Sequence, residues 1–470
     1  MTKMTSIICY WAAWVIIPLV VEIVPNIVNS IVLLWKKIFL WYRERNMSEF
    51  KPVITLIIPV YNSHATLYRC IQSVHESTYP NECIEVLLVD NGSKDNSFEI
   101  FQKAQIDFPD LGMWWMYSRQ GKSKALNKAI FNSNGKYIIN IDSDGILQKD
   151  ALTNMVRRFE NYPEIVSMTG AILIEPALIE KTKSFWLRQF QKLEFVEYAH
   201  AFLAGRNLES QFHSLFTLSG AFSAFRKSVL LKTFLYNTNT ICEDAHLAFQ
   251  IKDILKKRVQ FCHDAIFMVD PIESVNKFYT QRQRWQIGEL EVSSMFMKDQ
   301  LKNPITGFFW NSSLRVLIQD HTFAFPRLIW YFALIALGCV NYSFGNIIIA
   351  SLLIYALYVF GALLYYGNVV SFLHPFKDIQ KYYGRKIGYV ILLPLYNMFA
   401  FFIRFAGIIN SLKRKSTWKT KTFTEEMKEA FDTFWLDFEI LRVIRKWIKA
   451  LIEESEETEC YTDSTSTNST

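Results

Sequence analysis

Cysteine is scarce and scattered. The chain has seven in 470 residues, Cys9, Cys70, Cys83, Cys242, Cys262, Cys339 and Cys460, and no two stand in C-x-x-C spacing. An odd, unclustered set excludes a disulfide framework and offers a zinc ion no ligand spacing, so a reducing compartment is the simple inference. No segment repeats. No basic stripe alternates with stacking aromatics, which argues against nucleic acid as a partner. What the chain holds in excess is apolar: 51% of residues are hydrophobic and 16% aromatic, yet 20% are charged. A polar domain joined to lipid-facing helices accounts for both facts. The net charge of +7 suits an anionic membrane face or an anionic substrate.

The apolar residues are concentrated. Residues 1–45 hold a nearly unbroken run, Ile7 to Trp35, interrupted by Glu22, Pro25, Asn26 and Asn29. A bilayer core needs about 20 helical residues, so one span fits, and the run is too long for a signal peptide. Glu22 would cost ~3 kcal/mol at mid-bilayer unless it faces protein or a polar cavity. Lys36, Lys37, Arg43 and Arg45 follow and place the next domain in the cytoplasm. Residues 299–415 carry two further spans, Phe323–Tyr342 and Ile347–Tyr366, joined by an outer turn at Asn341–Asn346. A third stretch, Ile387–Asn410, spans or re-enters. An interface helix is expected over Gln286–Gln319. Residues 416–470 read as an amphipathic helix, Thr424 to Ile452, and a polar, disordered tail.

Residues 46–298 read as a soluble α/β domain. Short apolar runs at Val53–Tyr61, Ile84–Asn91 and Tyr137–Asp144 alternate with helical stretches near Ala65–Ser77, Asn96–Phe108 and Ser123–Asn132. That alternation implies βαβ units and a mostly parallel sheet, with ligands beyond the carboxyl ends of its strands. Three polar clusters fall there: Tyr61-Asn62, Asp90-Asn91-Gly92 and Asp142-Ser143-Asp144.

Each cluster has a chemical use beside an ordinary one. Two carboxylates at alternate positions of a strand share a face, so Asp142 and Asp144 can converge on one hard cation, Mg2+ or Mn2+, that prefers oxygen ligands and substrate phosphates. On their own, two acids in a loop are usually just solvated. Asp90 either opens a turn with Asn91-Gly92 or partners a nucleoside. Lys122 stands where a helix begins, a place suited to a diphosphate, although a surface lysine would look the same. Glu243-Asp244 precedes a helical stretch, Ala245–Leu255, as caps often do, but a displacement that inverts a sugar carbon needs such a carboxylate base, here Asp244. Gln281, Arg284 and Trp285 share one helix face by their i, i+3, i+4 spacing. An arginine fork suits phosphate oxygens and an indole suits a sugar ring, whereas a membrane-interface anchor is the plain reading of the tryptophan.

Together these residues resemble glycosyltransferase family 2, and within it the processive membrane synthases of hyaluronan, chitin, cellulose and poly-N-acetylglucosamine. Pro59-Val60-Tyr61-Asn62, Asp90-Asn91-Gly92-Ser93, Gly121-Lys122, Asp142-x-Asp144, Glu243-Asp244 and Gln281-x-x-Arg284-Trp285 run in the family's order. The longer pattern Gln281-Arg282-x-Arg284-Trp285-x-x-Gly288-x-x-Glu291 is most similar to the bacterial poly-N-acetylglucosamine type. The N-terminal span and overall length are also similar to glycosyltransferases found with exosortase G. The resemblance implies an α/β GT-A domain with flanking transmembrane helices and inversion at the anomeric carbon. It puts Asp90 and Asp142 on the nucleoside, Asp144 on metal and Asp244 as base. Gln281, Arg284 and Trp285 would line the diphosphate and acceptor site, with Ser219-Gly220-Ala221-Phe222 beside the acceptor. Ser63 and Cys242 depart from the pattern, which more often has Glu and Thr there.

The expected activity is transfer of a hexose from a nucleotide-diphospho-sugar, a UDP-sugar, to a growing polysaccharide. Transfer of one or a few sugars to a lipid or protein acceptor is the alternative, and an inactive scaffold of an envelope assembly complex the second. The expected partners are a nucleotide sugar, a glycan or lipid acceptor, membrane lipids, and a further subunit or second copy to complete a passage that so few spans leave open. The expected location is the cell membrane, multi-pass, with the catalytic domain cytoplasmic.

Overall fold

The structure is a computed structural model. It describes residues 51–297 except 212 and 214, then 334–339 and 343–413, with scattered residues between 23 and 35 and between 422 and 428. Two compact units are present, Met1–Glu273 with Arg282–Trp418, and Ser274–Gln281 with Lys419–Thr470. In the second, Tyr279 donates its hydroxyl to Glu426, and Thr424 Oγ1 donates to Asn276 Oδ1 at 3.2 Å.

The first unit is organised by one eight-stranded sheet of order β3-β2-β1-β4-β7-β6-β8-β5. Its middle is dry. β1 (Ile54–Val60) and β2 (Ile84–Asp90) are buried at every position, as strands covered on both faces should be, and they read as continuous apolar runs rather than alternating ones. β3 (Gly112–Tyr117) pairs parallel with β2, and β4 (Tyr137–Ile141) pairs parallel with β1. The intervening helices are α1 (Leu67–His75), α2 (Ser97–Asp107) and α3 (Lys122–Asn132), each within two residues of its expected bounds. The alternation of strands and helices therefore folds as read, as an α/β domain whose strands β1 to β4 run parallel.

Beyond β4 the architecture changes. β5 (Ile146–Leu147), α4 (Ala151–Asn161), β6 (Ser167–Ile174) and α5 (Phe185–Tyr198) follow. β7 (Phe222–Arg226) then inserts antiparallel between β4 and β6. Arg226 fixes that insertion. Its guanidinium lies over the rings of Tyr137 and Phe159 and donates to the Ile165 carbonyl at 2.6 Å, joining β7 to α4 and the turn after it. α6 (Glu243–Phe249), β8 (Val259–Val269) and α7 (Val275–Met297) complete the domain. The expected helix Ala245–Leu255 is α6 and a single wider turn, Gln250–Ile254.

Two further helices are long and apolar enough to cross a membrane, α8 (Phe344–Phe372) and, after the short α9 (Lys377–Gly384), α10, whose apolar part is Ile387–Ile409. α8 packs on the turn Ala199–Gly205 after α5, and α10 packs on α5 itself. His200 meets the Tyr383 hydroxyl at 2.7 Å, and Phe190 meets Tyr396 with ring centroids 5.3 Å apart. Arg404, the charge noted within the third apolar stretch, donates from Nε to Gln286 Oε1 of α7 at 2.8 Å. Glu22, Asn26 and the basic cluster Lys36 to Arg45 lie outside the described residues, as do most of Phe323–Tyr342, residues 298–319 of the expected interface helix and nearly all of 424–470.

Candidate active site

The site is built upward from strand ends. Asn62 leaves β1 in a left-handed conformation, φ 50°, which ends the strand and turns its backbone toward the loop after β2. Its N–H donates to Ser93 Oγ at 3.1 Å, and its Oδ1 accepts from the Lys94 N–H at 2.8 Å. Asp90, the last residue of β2, is buried and accepts the Ser93 N–H on Oδ1 at 2.9 Å. The turn reading of Asp90 is met: the residue shapes a turn, and that turn is laced to the loop after β1 at the carboxyl edge of the sheet. Asn91 Oδ1 accepts the N–H of Gly121, which stands at φ 132°, a conformation that only glycine adopts without strain. Lys122 opens α3 immediately afterwards.

Lys122 is the hub. Its ammonium pairs with Asp142 Oδ1 and donates to the Gly220 carbonyl at 3.2 Å. Burial alone would loosen its proton, but the charges of Asp142, Glu243 and Asp244 outweigh that and hold it above the ordinary lysine range. Asp142 and Asp144 do not share a strand face as expected. β4 ends at Ile141, and Asp142-Ser143-Asp144 forms a turn. The turn is held from outside: Ser143 Oγ and Ser63 Oγ are 2.7 Å apart, and Arg69 Nη2 on α1 donates to the Asp144 carbonyl at 3.1 Å. Arg69 also pairs with Asp270 and, at 3.5 Å, with Glu175, so it ties this turn to the ends of β8 and β6. Asp144 is exposed, but protein atoms crowd around its carboxyl. That crowding, and then the Asp142 charge, push its carboxyl up to about 6. An oxygen-only pair under mutual repulsion fits a hard divalent cation. Among the described residues no third His, Cys, Asp or Glu joins the pair, so the remaining ligands would be phosphate oxygens and water.

Across Gly220 lies the other acid. The Gly220 N–H donates to Asp244 Oδ2 at 2.8 Å, and the Ala245 N–H donates to Oδ1 at 2.8 Å. Glu243 beside it is buried. Burial pushes its carboxyl up, to about 7, with the Asp244 charge adding and the Lys122 ammonium opposing. The sequence had offered this residue only as the neighbour of Asp244. Its signal was weak because an acid at a helix start is ordinary.

On α7, Arg284 and Trp285 are both half-buried. Trp285 meets Phe202 edge-on at 5.9 Å and Tyr198 at 6.5 Å. The Arg282 guanidinium lies over the indole at 4.6 Å, so one ring face is already covered. Arg282 is buried and paired with Glu197. Of the two arginines in this segment it is the one that anchors the helix, a role that the i, i+3, i+4 reading did not assign. Gln281 stands one turn earlier on α7 and belongs to the second compact unit.

Known proteins resemble this chain in sequence and in fold. Residues 55–234 match glycosyl transferase family 2. The chain is 24% identical over 385 residues to a poly-beta-1,6-N-acetyl-D-glucosamine synthase of Staphylococcus epidermidis, covering 78% of this chain and 86% of that one. It is 25% identical over 239 residues to the synthase of the same description in Staphylococcus aureus strain COL, a match that spans 55% of that protein, about half its length. Among solved structures, a mannosyltransferase from Pyrobaculum calidifontis in complex with GDP-Man and Mn2+ aligns with TM-score 0.50 and 17% identity over 83% of this chain and 98% of that one, a likeness of fold. The chain thus carries a glycosyl transferase family 2 domain over residues 55–234, is homologous to poly-N-acetylglucosamine synthases, and is a hexosyltransferase.

Proposed function

We propose that the chain is an inverting transferase that moves N-acetylglucosamine from its UDP-sugar to a growing polysaccharide at the membrane. The observation that carries this reading is the short path Asp142–Lys122–Gly220–Asp244, in which one backbone unit separates the residues suited to a nucleotide diphosphate from a carboxylate suited to an acceptor hydroxyl. The sugar is taken from the relatives' descriptions.

In this reading Asp90 and Asp142 hold the nucleoside, and Asp142 and Asp144 hold Mg2+ or Mn2+. The cation supplies charge neutralisation of the departing diphosphate. Lys122 and Arg284 bind phosphate oxygens. Asp244 takes the proton of the acceptor hydroxyl as that oxygen attacks the anomeric carbon, and Trp285 supports the acceptor ring on the face Arg282 leaves uncovered. Residues 46–298 form the catalytic domain. Residues 1–45 and 299–415 form the membrane part, with the catalytic domain cytoplasmic, on the strength of α8, α10 and the basic cluster after Trp35.

Two experiments test this. Purified full-length protein is given a panel of radiolabelled nucleotide sugars with Mn2+ or Mg2+, and the products are sized. Consumption of UDP-N-acetylglucosamine into long polymer is expected. A product of one or a few sugars on lipid or protein would favour the non-processive alternative, and nucleotide release without acceptor-dependent product would favour a scaffold. For topology, a cysteine at position 343 is expected to react with an impermeant reagent from the outer side. Reaction only after permeabilisation would overturn the orientation.

A further inference from the structure

α7 carries two residues, beyond Arg284 and Trp285, that reach the loop before Asp244. Gly288 faces Cys242: a Cβ placed on Gly288 would stand 2.6 Å from the Cys242 Cβ and 3.2 Å from its Sγ, so helix and loop touch only because the side chain is absent. One turn later, Glu291 Oε2 accepts the Thr240 hydroxyl at 2.9 Å and the Ile241 N–H at 3.4 Å. The contact does not stop there. Thr240 Oγ1 accepts the Cys242 N–H at 3.3 Å, and the Cys242 thiol donates to Asp244 Oδ1 at 3.5 Å. Burial keeps that thiol protonated, and so able to donate. Beneath the strap, Ala245 and Phe249 of α6 pack with Val292 and Phe296 of α7.

We propose that Glu291 is a positioning residue for the transfer: through Thr240 and Cys242 it sets the aim of the Asp244 carboxylate from the same helix that carries Arg284 and Trp285. The base and the acceptor platform then share one rigid support, so the oxygen that takes the proton and the ring that holds the acceptor keep a fixed relation. The apolar packing of α6 on α7 fixes where the two helices meet, but it leaves the Asp244 side chain free to turn about its own bonds. The Gly220 and Ala245 N–H groups hold two sides of the carboxylate, and the strap holds a third. The inference rests on Asp244 being the base.

The test uses full-length protein in lipid nanodiscs with UDP-N-acetylglucosamine and Mn2+. Glu291→Ala should lower kcat by ~10- to 100-fold, the size of effect that misplacing a reacting group produces, with the donor KM and calorimetric UDP binding unchanged. Glu291→Gln keeps an acceptor oxygen and should recover most of the loss. Thr240→Val, which removes only the hydroxyl, should resemble Glu291→Ala, and the double variant should be no worse than either single one. Amide hydrogen exchange over residues 240–245 should quicken in Glu291→Ala, a readout independent of any donor. Normal kcat in both single variants beside an inactive Asp244→Asn would overturn this inference alone, as would additive losses in the double variant or unchanged exchange. A fully active Asp244→Asn would instead remove the base assignment on which it stands. If Glu291→Ala also loses UDP binding, Thr240→Val decides by the same criteria.

Discussion

The two halves of the site are assembled differently. From β1 to β4 the candidate acids and Asn62 hang from strand ends, with Lys122 on the first turn of α3 reaching toward them: Asn62 stands two residues past β1, Asp90 closes β2, and Asp142 follows β4. The strands that carry them are fully buried, and the loops after β1 and β2 bond directly to one another. Beyond β4 no functional residue is set by its own strand. Asp244 opens a short helix, Trp285 lies within a long one, and each is met by partners on other elements: Gly220 for the first, Tyr198 and Phe202 for the second. In the first half a strand end sets where the side chain starts; in the second, helices and their packing partners do.

The sharpest way to break that contrast is to remove the Asp144 carboxylate. Asp144→Ala, or EDTA, should reduce transfer to background while the protein still inserts and folds, and Mn2+ or Mg2+ should restore the chelated enzyme but not the variant. Full activity in EDTA would take the cation out of the first half. Next in size is Asp244→Asn. Turnover should fall ~10²-fold or more with nucleotide-sugar binding retained, as for the loss of a general base. Equal loss of binding would mean that the two halves are not separable. Trp285→Ala should change product more than rate: sized on a gel, the polymer should shorten several-fold while UDP affinity stays within about twofold, because the indole touches α5 and its following turn rather than the nucleotide loops.

The smallest expected effect concerns stability. Glu194 on α5 is buried, accepts the Ile272 N–H at 3.1 Å, and is pushed by burial from 4.5 to about 7. Folded protein therefore holds this proton more tightly than the unfolded chain does. Stability should fall as pH rises between 4.5 and about 7, and the loss should be complete above that window. Glu194→Gln, which keeps the acceptor oxygen without the charge, should melt higher than the unaltered protein at about pH 8 and at the same temperature at about pH 4. A constant difference at both pH values would mean that the charge is not the cause.

The same contrast explains what could be read in advance. β1, β2 and β4 announce themselves as apolar runs closed by turn residues, and α1 to α3 fall between them, so the nucleotide half was legible from local pattern alone. The Asp142–Asp144 turn was misplaced onto a strand because alternation does not reveal where pairing stops. β3 went unread: it is a sheet-edge strand with mixed burial, so its pattern resembles neither a buried strand nor a clean alternation. β6, β7 and β8 pair across long sequence gaps, and nothing local says that β7 runs antiparallel between β4 and β6. The pattern around Arg284-Trp285 already contains Arg282 and Glu291, but their contacts, like those of Arg69, were out of reach for a related reason. Each matters through a partner on another element, and one sequence without its fold contains no sign of who that partner is.

The ammonium that joins Asp142 to the Gly220 carbonyl has a consequence for how a cycle closes. A carboxylate stripped of its cation and nucleotide would ordinarily have to recruit water or a stray metal ion. Here a counter-ion is already tethered within reach on the first turn of α3. Under the proposed function, departure of the spent nucleotide would then be an exchange of partners, with Lys122 returning to Asp142 as the diphosphate leaves. An enzyme equipped in this way would reset without exposing bare charge. Its tendency to stay clogged by its own product would weaken in proportion to how well that lysine competes, and Lys122 would bear on product inhibition as much as on substrate capture.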